Sequence, residues 1–331
     1  MKNFRHLAVL ALAASTGSVA SAGSVLVVNQ GSQTVTIVDA QTLAVTGQVN
    51  EGQSGKDHAH EVAVSPNGKT AYLPVYGNSG VGAPGSDGRE MLFVDVASQK
   101  VTGKLDFGHG VRPHLPVVDP KTGLVYVTSE LDKSITVVNP KSRSIVGTIP
   151  TGAEQSHMLV LSHDGRFGYT ANVSPGSVSV LDLHARKTVA VIPVADSVQR
   201  IAISVNDKLV FTTDVKHSRL AVIDTATHQV REWIALPGVG YGAAATRDGH
   251  WLLLALPGLG QMAVIDLITS KVAQTISVGK GPQEVLIRPD QKFAYVSCSG
   301  DGGIAVIDLA NWKVVRKVAT AAGADGLAWV R

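Results

Sequence analysis

The sequence predicts an all-β fold, a seven-bladed β-propeller, and three observations lead to it. Short segments such as 134–138 and 177–181 alternate apolar and polar residues with a period of two. Seven such segments close on an acidic or amide residue, at Asp39, Asp95, Asn139, Asp182, Asp224, Asp266 and Asp308. The intervals between them are 56, 44, 43, 42, 42 and 42 residues. A period near 42 accommodates four short strands and their turns, which make one propeller blade.

Each unit repeats the same order of elements. An inner strand such as 61–65 leads to a turn rich in Pro, Asn, Asp and Gly, where Gly or Asn provides a positive φ. A second strand, a third strand ending in the aspartate, and a fourth strand follow. The aspartate recurs in every blade but one, and a catalytic group is not needed so many times. We therefore expect these aspartates to be structural. The four tryptophans (Trp233, Trp251, Trp312 and Trp329) are expected to pack in the core or between blades.

The ends of the chain predict how the ring closes. The first strand, 25–28, has the pattern of a second strand, and the last, 326–330, has that of an inner strand. The last strand is therefore expected to complete the first blade, which removes the free sheet edges of an open array.

Residues 1–22 have the pattern of a secretory signal peptide. Lys2 and Arg5 precede a short apolar run, and small residues at 20–22 form a cleavage site. We expect a mature chain of 23–331 that is periplasmic or secreted, without a membrane span after cleavage. An uncleaved N-terminal anchor is the alternative.

Composition narrows the function classes. The net charge of +3 falls to about +1 without the leader, so it does not predict a nucleic-acid partner. Cys298 is the single cysteine, so no internal disulfide forms, and its position after an apolar strand predicts burial. A monomer is expected.

Aligned inner strands place seven residues at the mouth of the central channel. These are His60, His114, His157, Arg200, Tyr241, Gln283 and Asp325. Three histidines on consecutive blades predict a divalent transition-metal site for Zn, Cu or Fe, since imidazole suits these ions. A set of ordinary polar channel residues is the alternative. His58 faces the same side as His60 and is a candidate fourth ligand or proton shuttle.

The longest insertion, 76–90, lies in blade 2 beside these histidines. It is interpreted either as a lid that brings polar groups to the mouth or as a mobile surface loop. Its candidate ligand-binding residues are Tyr76, Asn78, Asp87, Arg89 and Glu90. Two other expectations concern acids nearby: Glu61 is placed between blades, and Glu130 is a candidate to orient an imidazole.

The motif GKGPQEVLIRPD at 279–290, with Tyr295-Val-Ser and Val306-Ile-Asp, resembles the YVTN repeat family, which includes YncE-like periplasmic proteins. The resemblance covers the mature chain and implies the propeller rather than an activity. A shorter fragment, Arg112-Pro-His114, resembles lactonase-type propellers. It implies His114 with Arg200 as a base and oxyanion pair, with Arg112 beside them.

Three functions compete at this stage. The first is a metal-assisted hydrolase or oxidoreductase at the channel mouth, with His114, Arg200 and Tyr241 as catalytic candidates. The second is a periplasmic propeller that binds a small molecule or partner without turnover, and the metal-free lactonase is a further variant. The third is a non-covalent haem site, because the architecture is similar to the propeller of dihaem nitrite reductases. Haem ranks last, since the sequence shows no apolar and basic cradle for a macrocycle, and no Cys-x-x-Cys-His attachment site is present.

Overall fold

The computed structural model describes residues 23–52 and 57–331, and the regular structure in them is almost entirely β. The signal peptide predicted at 1–22 lies outside the described residues. The first strands are β1 (Ser24–Asn29), β2 (Thr34–Asp39), β3 (Val45–Asn50), β4 (His58–Ala59), β5 (Ala63–Val64), β6 (Thr70–Gly77), β7 (Asp87–Asp95), β8 (Lys100–Asp106), β9 (Pro113–Val118), β10 (Val125–Ser129), β11 (Ser134–Asn139), β12 (Ser144–Pro150), β13 (Ser156–Leu161), β14 (Phe167–Asn172), β15 (Ser177–Asp182) and β16 (Lys187–Pro193). The rest are β17 (Val198–Ile203), β18 (Leu209–Asp214), β19 (Arg219–Asp224), β20 (Gln229–Ala235), β21 (Ala243–Ala245), β22 (Trp251–Leu256), β23 (Gln261–Asp266), β24 (Lys271–Ser277), β25 (Pro282–Ile287), β26 (Phe293–Cys298), β27 (Gly303–Asp308), β28 (Lys313–Ala319) and β29 (Ala324–Val330).

These strands form seven antiparallel sheets, and the predicted seven-bladed propeller is confirmed. Six sheets have four strands, and in the sheet of blade 2 the inner strand is split into β4 and β5, which both pair with β6. Blade 1 has the order β29-β1-β2-β3, so the last strand closes the ring as predicted. Two short 3-10 turns, Gln30–Ser32 and Pro257–Leu259, are the helical elements of the described chain, and neither is long and apolar enough to cross a membrane.

The repeated aspartates hold the turns between third and fourth strands. Asp224 Oδ1 accepts hydrogen bonds from the backbone N–H of Ala226 and Thr227, at 3.0 and 2.8 Å. Asn139 performs the same task with its amide oxygen in blade 3. Their structural role, expected from the repetition, is therefore confirmed, since an oxygen acceptor at this position satisfies turn N–H groups.

Apolar layers between neighbouring blades form the core. Between blades 1 and 2, for example, Leu26, Leu73 and Leu92 pack in one buried cluster. Burial of each such side chain stabilises the fold by about 1.5–3 kcal/mol. Cys298 is buried as predicted, and Trp251 packs edge to face against Trp312 at 5.5 Å.

The inner strands carry bulges near one end of the channel. The pairing register shifts between Ser156 and Met158 in β13, and between Val198 and Ile201 in β17. A bulge re-aims the side chains beside it. We call this end the mouth face: it carries the loops between second and third strands and the links from each fourth strand to the next inner strand. The inner-strand residues at the bulges bring polar groups to the channel there.

Strand pairing corrects the predicted position of Arg200. Ile201 pairs with Thr212 and Val285 with Val296, each partner being the fourth residue of its second strand. Arg200 therefore shares the register of Glu284, one layer below the histidines. The alignment was wrong by one residue because it counted from Asn206, whereas Val205 occupies the turn position that Pro289 has in blade 7.

Candidate functional site

Four histidines lie together at the mouth of the channel. The ring centroids of His60 and His114 are 5.2 Å apart, and those of His114 and His157 are 3.7 Å apart. The ring centroids of His58 and His60 are 4.9 Å apart. We call these four residues the histidine cluster. The three histidines that the blade alignment placed at one position, His60, His114 and His157, therefore lie beside one another in the structure.

The rings of the cluster pack against one another. Within residues 23–52 and 57–331, no group of three or more His, Cys, Asp or Glu side chains is arranged to hold a metal ion. Burial lowers the pKa of His114 well below its ordinary value, and neighbouring His157 and His60 add to the effect. The metal site formed by His60, His114 and His157 stays a prediction.

His60 has a distinctive pair of environments for its two nitrogens. Its Nδ1 lies 3.2 Å from Oδ2 of Asp325, and its Nε2 is buried without a hydrogen-bond partner. Asp325 also accepts a hydrogen bond from Gln30 Nε2 at 2.9 Å. Burial acts to raise the pKa of Asp325, but the bond to His60 and the charge of Arg200 hold it below its usual value. The charged carboxylate therefore accepts a hydrogen bond from Nδ1 of His60 and orients the ring so that Nε2 faces away from Asp325.

Glu130 organises the deeper half of the cluster. Its Oε2 accepts a hydrogen bond from Tyr76 Oη at 2.6 Å and lies 3.3 Å from Nδ1 of His157. Burial acts to raise the pKa of Glu130, but the bonds to His157 and Tyr76 and the charge of Arg112 lower it overall. Glu130 thus contacts an imidazole, whereas its expected role of orienting a metal-bound imidazole stays a prediction. Tyr76, predicted as a ligand-binding residue, is fully buried, with its ring edge to face against His60 and His114.

Arg200 closes the channel below the histidines. Its Nη1 lies 2.5 Å from Oε1 of Glu61 and 3.0 Å from Oε2 of Glu284, and its Nη2 is 3.4 Å from Oδ1 of Asp325. These partners come from blades 2, 7 and 1, so the guanidinium of blade 5 spans the axis. Tyr241 stacks on it, with its ring centroid 4.3 Å away. The expected placement of Glu61 between blades is wrong, because its carboxylate pairs with this buried cation.

Four residues form what we call the channel ion cluster: Arg200, Glu61, Glu284 and Asp325. Their contacts bear on the catalytic role predicted for Arg200. Both terminal nitrogens of Arg200 face carboxylates, so the arrangement does not favour Arg200 as an oxyanion donor for His114, although its Nε has no hydrogen-bond partner. Burial raises the pKa of Glu284 to about 8, against the opposing charge of Arg200. Below the cluster lies a cavity of about 280 Å³ whose walls come from all seven blades. The pairing thus divides the channel into a mouth and a lower compartment.

A cavity of about 650 Å³ opens on the mouth face beside the histidine cluster. Its lining residues are Gln30, Gly31, Gln33, His58, Asn78, Ser299 and Gly323. Gln283, a predicted ligand-binding residue, donates to the hydroxyl of Ser299 at 3.2 Å and so supports this wall. Gln30 and Ser299 were missed by the sequence analysis, because loop residues without a charged group leave no motif.

The insertion of blade 2 is shorter as a loop than predicted. Strands β6 and β7 extend into it, and only 78–86 lie between them. Arg112 anchors this loop through Nε to Asp87 at 2.6 Å and through its other nitrogens to the carbonyls of Gly80 and Ala83. Of the five residues proposed to reach the mouth, Asn78 lines the cavity there. The anchoring favours a fixed wall rather than a mobile lid.

Arg89 and Glu90 are not at the mouth, and that part of the prediction is wrong. Both belong to β7, where Arg89 pairs with Asp106 at 2.8 Å and Glu90 with Lys104 at 2.6 Å. They line a separate cleft toward blade 1. The physical reason is that the strand pairing of the blade continues through the inserted residues, which turns their side chains toward the outer strand.

The family comparison matches residues 119–247 to the cytochrome D1 haem domain, which is less than half of the chain. Among curated proteins no relative matches. Hydrazine synthase of Kuenenia stuttgartiensis is similar in structure, with a TM-score of 0.70 and 19% identity over 84% of this chain and 90% of that one. The dihydro-haem d1 dehydrogenase NirN in complex with DHE has a TM-score of 0.68 and 16% identity over 94% of this chain and 76% of that one. These structural likenesses show the fold, and membership of the YVTN family is not confirmed.

Proposed function

We propose that this chain is a redox-related propeller that binds a haem-type tetrapyrrole in the mouth cavity, with His60 as the axial ligand. The partial match to the cytochrome D1 haem domain supports the ligand class. So does the structural likeness to NirN, which is described in complex with DHE. The haem alternative, ranked last from the sequence, thereby becomes the leading one.

The two nitrogens of His60 carry the proposal. Histidines that bind a metal ion usually donate their other ring N–H to a carboxylate, which fixes the tautomer and makes the free nitrogen a better donor. Asp325 provides that carboxylate at 3.2 Å, and Nε2 is a buried polar atom without a partner. A buried orphan nitrogen is costly unless something binds it. His60 stacks beside His58, which lines the mouth cavity, so the proposed axial role requires the side chains that cover Nε2 to move aside when the macrocycle binds.

The mouth cavity has the volume of a ligand site and polar walls. The mouth cavity of about 650 Å³ lies within the usual range of about 300–1,000 Å³ for ligand sites. His60 is 19% exposed, whereas His114 and His157 are buried beneath it. On the same face, Val239 and Leu259 are exposed by 39% and 48%.

The chemistry that bound haem supplies is one-electron transfer and ligand activation at iron. This chain's residues would set the properties of the site. Asp325 holds the proton on His60 Nδ1, and Arg200 withdraws part of the charge of that carboxylate. The low pKa of His114, caused chiefly by burial, keeps that ring neutral beneath the site. We further propose that the protein works outside the cytoplasm after cleavage of the bond between Ala22 and Gly23. The mass of the exported protein tests this cleavage site.

Titration of the purified mature protein with hemin and with haem d1 tests the proposal. We expect a stoichiometric, saturable Soret band that differs from that of the free tetrapyrrole, in the wild type and for at least one of the two. His60→Ala is expected to lose this band, and added imidazole is expected to restore it by filling the vacated place.

His184→Ala is the matched control, because His184 is exposed in the turn between β15 and β16, on the opposite face. It is expected to behave as the wild type. Absence of a bound band with both tetrapyrroles would refute the proposed ligand class. A band that survives unchanged in His60→Ala would refute the proposed axial residue.

A further inference from the structure

A second cavity lies on the face opposite the mouth, between blades 6 and 7. It measures about 520 Å³, and its residues belong to the turns between first and second strands and between third and fourth strands. Trp251, Phe293 and Trp312 line its walls. The two indole rings are half-buried and stand edge to face, with centroids 5.5 Å apart and an angle of 70°.

The interface between blades 6 and 7 packs differently from three others in the ring. In blade 2, Gln99 occupies the left-handed turn position and lies over Gly47 of the preceding outer strand, which leaves no space for a Cβ there. Two further blade pairs use the same packing, Arg143 over Gly103 and Arg186 over Gly147. Blade 6 has Gln274 in the register of that glycine, as blades 4, 5 and 7 have other residues there. At this interface Trp312 packs on Trp251, and the two rings form an aromatic wall of the cavity.

The charges around the cavity favour a cation. Asp248 and Asp308 both line it. Hydrogen bonds from Thr246 and His250 lower the pKa of Asp248, and those from the turn after Asp308 lower the pKa of that group. Both carboxylates are therefore ionised at neutral pH. Lys292 is the one basic residue in the lining.

The aromatic walls narrow the type of cation. The faces of aromatic rings carry negative electrostatic potential and attract cations, and indole does so most strongly. Arg288 covers one face of Phe293 at 4.5 Å, and His250 stacks on one face of Trp251 at 4.1 Å. The faces available to a cation are therefore those of Trp312 and the uncovered sides of the other two rings. A primary ammonium would lose hydrogen bonds to water against apolar walls, whereas a methylated one has few to lose. We propose that this cavity binds quaternary ammonium groups, such as the trimethylammonium head of choline, independently of the site at the mouth.

Intrinsic tryptophan fluorescence of the mature protein, titrated with choline, tests this inference. Two of the four tryptophans line the cavity, so saturable quenching is expected. The neutral isostere 3,3-dimethylbutan-1-ol, which has carbon in place of nitrogen, is expected to bind at least tenfold more weakly. Equal binding of the two compounds, or no saturable change with choline, would overturn the proposal.

Two variants use replacements that the chain itself tolerates at matching positions. Trp312→Gln copies Gln99 of blade 2, and Asp308→Asn copies Asn139, which closes the same turn in blade 3. Each is expected to weaken choline binding about tenfold, while Trp233→Phe, at another blade interface, leaves it unchanged. Thermal melting identifies any variant that does not fold. A folded Asp308→Asn protein with wild-type choline affinity would contradict the role assigned to charge.

Discussion

Replacing Arg200 by methionine is expected to destabilise the propeller strongly. The variant keeps the bulk of the side chain and removes the one cation that faces Glu61, Glu284 and Asp325 at 2.5, 3.0 and 3.4 Å. Removal of one partner from a buried ion pair costs about 3–5 kcal/mol, because the remaining charge stays buried without compensation. That loss is a large part of the roughly 5–15 kcal/mol that stabilises typical proteins.

The loss is expected to depend on pH. Without the guanidinium, the folded-state pKa values of the three carboxyls lie above their unfolded values near 4, since burial then acts unopposed. A raised folded pKa contributes stability at low pH that is lost as the pH increases. The gap between Arg200→Met and wild type is therefore largest at pH 7–8 and smallest near pH 4.

Urea denaturation at pH 4, 5.5 and 7.5 measures this gap. Arg89→Met serves as the control, because its pair with Asp106 is 49% and 48% exposed and such pairs contribute up to about 1 kcal/mol. The triple variant Arg200→Met, Glu61→Gln, Glu284→Gln is expected to recover much of the loss. A loss below about 1 kcal/mol at pH 7.5, or one that does not change with pH, would refute the reasoning.

Three further predictions concern single features. Glu284→Gln is expected to gain stability relative to wild type as the pH rises from 5 to 8. Burial raises the folded pKa of Glu284 to about 8, so the wild-type carboxyl loses its stabilising contribution over this pH range. Unfolding free energies of both proteins at pH 5 and pH 8 measure the gain, and a difference that does not change with pH would contradict it. Tyr76→Phe removes the 2.6 Å hydrogen bond to Glu130 and is expected to lower the free energy of unfolding by about 1–3 kcal/mol, as measured by urea denaturation. A change near zero would argue against a charge-assisted bond. Deletion of 324–331 leaves β1 without its partner β29 and is expected to cause aggregation, which light scattering detects. A monomeric variant with a cooperative unfolding transition would show that the fold does not need ring closure.

The fold was predictable because it repeats. Seven copies of one pattern average out local ambiguity, so blade number and ring closure by 326–330 followed from counting strands. Turn aspartates such as Asp224 were recognised for the same reason. The turn of blade 5, Ser204-Val-Asn-Asp, offers two positions from which to count, and counting from Asn206 rather than Val205 predicted Arg200 one layer too high.

The site was predictable in its histidines and less so in their partners. His60, His114 and His157 share one register, which a sequence alignment of blades detects. Their contacts to Asp325 and Glu130 depend on how distant blades face each other across the axis, and no local pattern encodes that. The same holds for the mouth cavity, whose walls are formed by short polar side chains from several loops.

A crystal structure of the mature protein reconstituted with the tetrapyrrole that it binds tests the central claim most directly. The account predicts a macrocycle in the mouth cavity, its iron bonded to Nε2 of His60 while Nδ1 remains within hydrogen-bond distance of Asp325. A macrocycle bound elsewhere, or iron bonded to another residue with Nε2 of His60 still unpaired, would contradict it.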